Sequence, residues 1–219
     1  MSNLINSYRY AGDVTNPLLT DLVQYSPLVS NSVADIGIDG TDTSITYGDG
    51  GDFQDMAYFG GSTTANINLG DDDNFSFGNG VTTSPFTISF RVVFDDVFGN
   101  RAPFSKRNGG TDIEYLSYLL SNGASFRFRA FSSGGLSAEP TPSVSASAST
   151  VYWALIRCDG TDVSVEFYTG AGTIINSDVR TLSNPMFNGG GDLILGLNNG
   201  ASPLDGYLGD FAIWQRELT

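Results

Sequence analysis

The stretch Gly189–Leu218, with the sequence GGGDLILGLNNGASPLDGYLGDFAIWQREL, decides the fold of this chain. It contains an apolar run that ends at Gly196, a polar turn at 198–200, and a segment from Gly206 that leads into an alternating strand through Trp214. A period of two residues is typical of a β-strand with one buried face, and Asn-Gly dipeptides favour tight turns. The stretch therefore predicts the closing strands of a β-sandwich.

The same strand and turn patterns run through most of the chain. Nine Asn-Gly or Asp-Gly dipeptides punctuate the sequence. Apolar and polar residues alternate over 86–92 and 126–129, so each segment is expected to bury one face and expose the other. The segments 151–158 and 163–167 flank Asp159-Gly160, which predicts a β-hairpin.

Length and composition indicate one globular, all-β domain over 1–219. The 219 residues include 15 Phe and 10 Tyr, which is more apolar and aromatic material than a disordered chain carries. Long helical periodicity is missing, although 18–25 would allow one or two helical turns. Residues 1–50 are expected to form edge strands or an N-terminal arm. The low-complexity segment 136–150 is expected to be a surface loop, with an edge strand at 143–149 as an alternative.

Charge and residue usage exclude several classes of function. The formal net charge is -14, and Lys106 is the only lysine, which disfavours binding to nucleic acid. The sequence has no histidine, so Ser-His-Asp catalysis and histidine metal sites are excluded. Cys158 is the only cysteine and is expected to be a buried packing residue. The N-terminal sequence MSNLINSYRYAGDV has no apolar run typical of a signal peptide, and no segment has the length of a membrane span, so we expect no membrane insertion.

Three blocks of the sequence carry a resemblance to a known family. They are Met56–Phe94, with MAYFGGSTTANINLG and SPFTISFRVVF, then Ser149–Gly172, with STVYWALIRCDGTDVSVEFYTGAG, and the closing stretch quoted above. In this order they resemble the laminin-G-like domains of the concanavalin A-like lectin-glucanase superfamily. The chain departs from the family pattern where a Trp-His-His run is usual, since only Trp153 stands near that place. The resemblance implies a two-sheet antiparallel jelly-roll sandwich.

Some enzymes of this superfamily place two glutamates and an aspartate along one strand, and this chain has no such strand. Asp162 and Glu166 would lie roughly 13 Å apart along a strand, too far for either hydrolytic mechanism. Asp112 and Glu114 would lie roughly 6.5 Å apart, an admissible spacing without a third carboxylate. We interpret both pairs as solvated polar faces and expect no enzyme activity.

Calcium is the cofactor that the resemblance implies, because sandwiches of this kind hold it in rim loops. One oxygen-rich group consists of Asp71, Asp72 and Asp73, directly after an apolar strand, and a second consists of Asn198, Asn199 and Asp205. Hard oxygen atoms are the ligands that Ca²⁺ prefers, although neither group has EF-hand spacing. The alternative is that both groups are ordinary solvated turns.

Carbohydrate binding requires aromatic surface beside planar polar groups. The predicted outward faces offer Arg127, Arg129, Glu166, Tyr168 and Tyr207. The alternative for each is a solvated strand face or a place in the core.

The resemblance further implies a setting, because such domains recur in bacteriophage structural proteins. We expect a lectin-like protein on the outside of a virion, as a capsid decoration, head fibre or tail-associated adhesin. Its expected partners are further copies of itself, major capsid or tail proteins, and host surface glycans. A secreted or surface carbohydrate-binding module is the alternative, and a glycoside hydrolase is a third hypothesis.

Overall fold

The computed structural model describes residues 17–48, 53–198 and 201–219, and β-strands are the main regular elements in all three ranges. Two 3-10 turns, Asp73–Phe75 and Ser121–Gly123, are the helical elements among these residues. The strands in chain order are β1 (Leu22–Ser26), β2 (Thr41–Thr43), β3 (Thr46–Tyr47), β4 (Ala57–Tyr58), β5 (Asn66–Asn68), β6 (Phe86–Phe94), β7 (Arg101–Asn108), β8 (Asp112–Leu119), β9 (Phe126–Ser132), β10 (Gly135–Ala138), β11 (Val151–Cys158), β12 (Asp162–Thr169), β13 (Ile174–Thr181), β14 (Leu193–Leu195) and β15 (Gly206–Trp214).

The strands form two antiparallel sheets. The eight-stranded sheet has the order β13-β12-β11-β6-β15-β4-β3, and β1 pairs with the part of β15 that β4 leaves free. The seven-stranded sheet has the order β10-β9-β8-β7-β14-β5-β2. Consecutive hairpins build one side of each sheet, and strands distant in sequence complete the other. The predicted jelly-roll sandwich is confirmed.

Aromatic side chains from the inner faces of the two sheets meet in one core. Phe90 of β6 lies edge-on to Phe104 of β7, with ring centroids 5.4 Å apart. Phe167 of β12 stacks on Phe126 of β9 at 5.2 Å. These rings come from opposite sheets, so they hold the two layers together.

The predicted hairpin is confirmed: β11 pairs with β12 in unbroken register from Tyr152–Thr169 to Cys158–Val163. The Asp159 carboxylate accepts hydrogen bonds from the backbone of Thr161 and Asp162, which fixes the turn. Cys158 is buried, as predicted, and burial raises the pKa of its thiol to about 12.

The alternation predicted for 86–92 holds on only one face of the strand. Thr87 and Ser89 of β6 are buried as well as the apolar residues. The C-terminal segment covers this outer face, because Leu218 donates its backbone N–H to the Thr87 hydroxyl, which in turn donates to the Arg216 carbonyl. The alternation over 126–129 is confirmed in β9.

The prediction of a surface loop over 136–150 is wrong for its first part. Residues 136–138 belong to β10, and Ala138, Val144 and Ala146 are buried. The carbonyls of Pro140 and Pro142 accept hydrogen bonds from the backbone of β9. Proline has no N–H to donate, so pairing is one-sided and the expected edge strand at 143–149 is reduced to a single bridge at Ser143.

Residues 17–48 complete the edges of both sheets, as one alternative for 1–50 predicted. The expectation of helical turns over 18–25 is wrong, because a turn at 17–21 leads into β1, which pairs with β15. Tertiary pairing with the closing strand outweighs local helix propensity here. Residues 1–16 of the predicted arm lie outside the described part of the chain. Within that part, the chain contains no helix of the length and apolar character that a membrane crossing requires.

Candidate functional site

The predicted carbohydrate-binding residues Arg127 and Arg129 lie on the outer face of β9. Their Nε atoms lie 3.3 and 2.7 Å from the Glu139 carboxylate. Both guanidinium groups also contact the Tyr118 hydroxyl at 3.5 Å. We call Tyr118, Arg127, Arg129 and Glu139 the outer cluster. Tyr118 is buried, the three charged side chains are half-buried, and the four are mutually paired.

Two other predicted carbohydrate-binding residues, Glu166 and Tyr168, lie on the outer face of β12 in the opposite sheet. Glu166 accepts hydrogen bonds from the Arg157 guanidinium and the Tyr168 hydroxyl. Burial and the bond to Glu166 raise the pKa of Tyr168 to about 12. This pair therefore forms a local network, separate from the outer cluster.

The fifth predicted residue, Tyr207, belongs to an aromatic group. Its ring lies 4.8 Å from that of Tyr58 and 5.1 Å from that of Phe53, measured between centroids. The five residues thus occupy three separate places on the two outer faces. The structure does not bring them together into one site.

The first predicted calcium group does not converge. Asp71 accepts a hydrogen bond from Lys106 Nζ at 2.6 Å. Asp72 accepts from the backbone of Asn74 at 2.8 Å and begins a 3-10 turn, whereas Asp73 accepts from Asn188 at 3.1 Å. Within the described ranges, no three acidic or thiol groups lie close enough together to hold a metal ion. The three aspartates do not fit Ca²⁺, because a lysine ammonium already neutralises the first.

The second predicted calcium group is divided between two arginines. Asn198 Oδ1 accepts from Arg107 Nη1 at 2.6 Å. The Asp205 carboxylate lies 4.0 Å from Arg101 Nη2. Asn199 lies outside the described residues, so this group stays a prediction.

The solvated face predicted for Asp112 and Glu114 is wrong for Glu114. Lys106 pairs with Tyr115 and Arg107 with Ile113, so Glu114 is the extra residue of a β-bulge. The bulge turns its side chain inward, where it is only 1 % exposed and its Oε1 lies 3.0 Å from Lys106 Nζ. The neighbouring Asp112 carboxylate instead accepts a hydrogen bond from the backbone of Gly190 at 3.2 Å.

Lys106 is fully buried between the sheets and is the centre of an inner cluster with Asp71 and Glu114. Its ammonium also donates to the carbonyl of Gly191 at 2.6 Å, which fastens the loop that leads into β14. Burial raises the pKa of Glu114 to about 6, although the Lys106 charge acts in the opposite direction. Lys106 thus holds a rim loop from inside the sandwich.

A cavity of about 270 Å³ lies outside this loop, where β7 turns into β8 and the chain enters β14. We call it the rim cavity, and it is lined by Arg107, Asn108, Gly109, Gly190, Asp192 and Ile194. Its back wall is tightly packed, because a Cβ on Gly191 would lie 2.3 Å from the Arg107 carbonyl carbon. Only glycine permits this approach of the two backbones.

The polar walls of the rim cavity come from neighbouring strands. The Arg107 backbone N–H donates to the Asp192 carbonyl at 3.4 Å, so the two residues lie side by side. The Arg107 guanidinium donates from Nε and Nη2 to the Gly109 carbonyl. The Asp192 carboxylate accepts from Asn68 Nδ2 at 2.8 Å. Partial removal from water lowers the pKa of Arg107 below its usual value.

A second cavity, of about 300 Å³, is lined by residues of the segment 27–35. Within the described part of the chain its only charged lining residue is Asp35, whereas the rim cavity offers a cation, a carboxylate and an amide. The rim cavity is therefore the better candidate for recognition of a polar ligand. Sequence reasoning missed Arg107 and Asp192, although the Asn108-Gly109 turn and the three glycines at 189–191 marked both loops.

A family model described as the concanavalin A-like lectin/glucanases superfamily matches residues 59–219. A search of curated protein sequences found no match.

Solved structures of several other proteins share the fold. The binding domain of botulinum neurotoxin serotype G superposes with a TM-score of 0.67 at 13% identity, over 90% of this chain and 48% of that one. Domain 4 of AbnA, a GH43 extracellular arabinanase from Geobacillus stearothermophilus solved with arabinotriose, gives 0.63 at 15% identity, over 91% and 94%. The sialidase of Trypanosoma rangeli gives 0.60 at 15% identity, over 91% and 31%. The chain spans about half of the toxin domain and less than a third of the sialidase structure.

Proposed function

The chain belongs to the concanavalin A-like lectin/glucanase superfamily, and from that premise we propose that it is a non-catalytic, carbohydrate-binding domain whose ligand occupies the rim cavity. The observation that carries the proposal is the cavity itself. A guanidinium, a carboxylate and an amide surround it, and Ile194 supplies an apolar wall. Sugars present hydroxyls at their edges and C–H groups on their faces. The cavity offers polar groups beside an aliphatic wall, which stands in place of the aromatic surface expected from the sequence.

The carboxylates of the described residues support binding rather than hydrolysis. Glycoside hydrolysis requires two carboxyl groups on opposite sides of the scissile bond. Glu114 faces Lys106 inside the sandwich, Asp112 caps a loop, and Glu166 accepts from Arg157 and Tyr168. Each is already engaged in a structural contact, and Asp192 is the only carboxylate among the described residues that line the rim cavity.

The proposed setting is the outer surface of a bacteriophage particle, where the domain would act as a capsid decoration, head fibre or tail-associated adhesin. The resemblance to domains of phage structural proteins supports it. The formal net charge of -14 favours an outward position over contact with packaged DNA. Assembly with itself, or with major capsid or tail proteins, would add avidity to weak contacts with host glycans.

A secreted or surface carbohydrate-binding module is the second candidate. It is favoured by the similarity to domain 4 of the extracellular arabinanase, because the superposition covers 94% of that domain. Such a module would act beside a catalytic domain, whereas the virion protein would act as part of a particle. The two candidates share the rim cavity and differ in location and assembly.

A glycan-binding assay with a turnover control tests the carbohydrate function. The purified chain is applied to immobilised glycans with neutral and acidic ends, and bound glycans are recovered and analysed for cleavage. We expect retention of a subset of glycans without cleavage. Failure to bind any of them would contradict the proposed function, and cleavage would contradict its non-catalytic character.

Location is tested separately by light scattering and immunoelectron microscopy. We expect a discrete oligomer in solution and antibody label on the outside of source particles. A monomer together with unlabelled particles would favour the secreted or surface module. The calcium prediction for Asn198, Asn199 and Asp205 is tested by heating the chain with calcium and with a chelator, because binding to the native state raises the melting temperature.

A further inference from the structure

We propose that the rim cavity binds one terminal, uncharged sugar residue through two adjacent hydroxyl groups, an inference that rests on the proposed function and names its ligand class. Arg107 and Asp192 are the specificity-determining residues, and Ile194 contacts the C–H face of the ring. Three features of the cavity support this assignment: its unused donors and acceptors, its size and its charge.

Some N–H groups of the Arg107 guanidinium have no hydrogen-bond partner among the described residues. It carries five N–H groups, and its hydrogen bonds to other described residues use one at Nε and one at Nη2 for Gly109 and one at Nη1 for Asn198. Two N–H groups are left for a ligand. These internal bonds also hold the guanidinium plane in place before a ligand arrives, which reduces the entropic cost of binding.

Asp192 supplies the complementary acceptor. Its Oδ2 accepts from Asn68 at 2.8 Å, and Oδ1 has no partner among the described side chains. The two side chains are neighbours across strands, yet no ion pair within 4.0 Å joins Arg107 to Asp192 in the part of the chain that the structure describes. The gap suits a pair of adjacent hydroxyls, one donating to Asp192 Oδ1 and the other accepting from Arg107.

The size of the cavity suits a ligand of one ring. Its volume of about 270 Å³ lies below the range of roughly 300–1,000 Å³ typical of small-molecule pockets. An internal residue of a polysaccharide would need an exit on both sides for the chain. A terminal residue needs only one exit, and Asn108, which lines the cavity and is exposed, is available to the next unit.

The charge of the cavity favours a neutral sugar. Asp192 offsets the single cation Arg107, and Asp112 lies behind Gly190 at the edge of the cavity. The whole chain adds a formal net charge of -14. An acidic sugar such as a sialic or uronic acid would bring a further negative charge beside these carboxylates. Repulsion between the like charges and the loss of water from the sugar carboxylate would both weaken its binding.

The test uses the full chain and paired glycans that differ only at their ends. One member of each pair ends in a neutral hexose, and the other carries the same hexose capped by a sialic or uronic acid. Deoxy derivatives of the best neutral binder then lack one or the other of two adjacent hydroxyls. Titration calorimetry measures each affinity for the wild type and for the variants Asp192→Asn and Arg107→Lys.

We expect binding to neutral ends only, and a loss of roughly tenfold or more for each variant and each critical deoxy sugar, since one hydrogen bond to a charged group corresponds to about a factor of ten. Asp42→Asn, on the same sheet, and Arg180→Lys, on β13, are matched controls and should bind within about twofold of the wild type. Equal circular dichroism spectra verify folding, and Arg107→Lys remains informative if Asp192→Asn does not fold.

Two results would overturn the assignment while leaving the carbohydrate function intact. One is preferential binding to acid-capped ends, and the other is neutral binding that neither variant weakens. Binding to no glycan at all would instead refute the proposed function. The three outcomes are therefore distinguishable in one series.

Discussion

Lys106 and Arg129 each pair with a glutamate at hydrogen-bond distance, and the two pairs differ in their surroundings. Lys106 Nζ lies 3.0 Å from Glu114, and their side chains are 0% and 1% exposed. Arg129 Nε lies 2.7 Å from Glu139, and their side chains are 30% and 26% exposed. The shorter distance belongs to the exposed pair. Desolvation, rather than distance, decides which pair the fold depends on.

The inner cluster also has a structural role that the outer cluster lacks. Lys106 donates hydrogen bonds to the Gly191 carbonyl and the Asp71 carboxylate, so it joins β7 to two loops. Arg127 and Arg129 contact Glu139 and Tyr118 on the surface of a sheet that is already paired. The inner cluster thus supports the back of the rim cavity, whereas the outer cluster covers a sheet face.

The largest effect is expected for Lys106→Met. The variant leaves the Glu114 carboxylate buried without its cation, which should reduce the free energy of unfolding by about 3–5 kcal/mol. Asp71 contributes less to the loss because it is 43% exposed and stays hydrated. Urea denaturation followed by tryptophan fluorescence measures the change.

Arg129→Met is the matched control for Lys106→Met, with an expected loss below about 1 kcal/mol. The double variant Lys106→Met/Glu114→Leu removes both buried charges and should recover most of the lost stability. If the double variant is as unstable as the single one, packing of the lysine stem rather than the unpaired charge is responsible.

The next effect is the pH dependence that Glu114 introduces. Its pKa is about 6 in the folded protein against an ordinary value of 4.5, so the folded state holds the proton more tightly. Protonated Glu114 therefore adds to the free energy of unfolding below about pH 4.5. This addition, on the order of 2 kcal/mol, is lost as the pH rises to about 6. Above that window the contribution is constant.

Glu114→Gln removes this titration. The difference in unfolding free energy between wild type and variant should change between pH 4.5 and 6 and stay constant from pH 7 to 8. Urea titrations at a series of pH values give that difference. Glu139→Gln is the matched control. If the difference in unfolding free energy between the wild type and Glu114→Gln does not change between pH 4.5 and 6, burial does not raise the pKa of this carboxyl group.

Tyr115→Phe is expected to have an intermediate effect. The Tyr115 hydroxyl donates to the Phe75 carbonyl at 2.8 Å in the buried region beside Glu114. Its removal leaves that carbonyl without a donor and should cost about 1–2 kcal/mol in unfolding free energy. Tyr118→Phe, on the outer face of the same strand, should cost less because its hydroxyl contacts two arginines at 3.5 Å only. Equal losses in chemical denaturation would contradict this contrast between the two faces.

The sheets and hairpins could be predicted because their signals are local. The turn at Asp159-Gly160 and the alternation in β9 depend on residues a few positions apart. The path of residues 138–146 could not be predicted, because its burial depends on pairing with β9. Pro140 and Pro142 accept hydrogen bonds from β9 at their carbonyls and have no N–H to donate in return. Composition alone makes such a segment resemble a loop.

The candidate site could be predicted only in part. Arginine, glutamate and tyrosine were expected to bind carbohydrate, and aspartate was not among them. The rim cavity uses Arg107 and Asp192, which become neighbours only when β14 pairs with β7. The bulge at Glu114 was equally hidden, since a shift of one residue in register reverses which face a side chain occupies. Pairing across distant strands thus determines the site.

The smallest effect is expected for Glu139→Gln in the outer cluster. The substitution removes one charge from a half-exposed group, so the free energy of unfolding should fall by less than about 1 kcal/mol. Added salt should shrink even this difference, because the exposed charges are screened. Salt should hardly alter the loss caused by Lys106→Met, since the inner cluster excludes counterions. A Glu139→Gln loss as large as that of Lys106→Met, and equally independent of salt, would show that the two clusters are desolvated to the same degree and that exposure does not separate them.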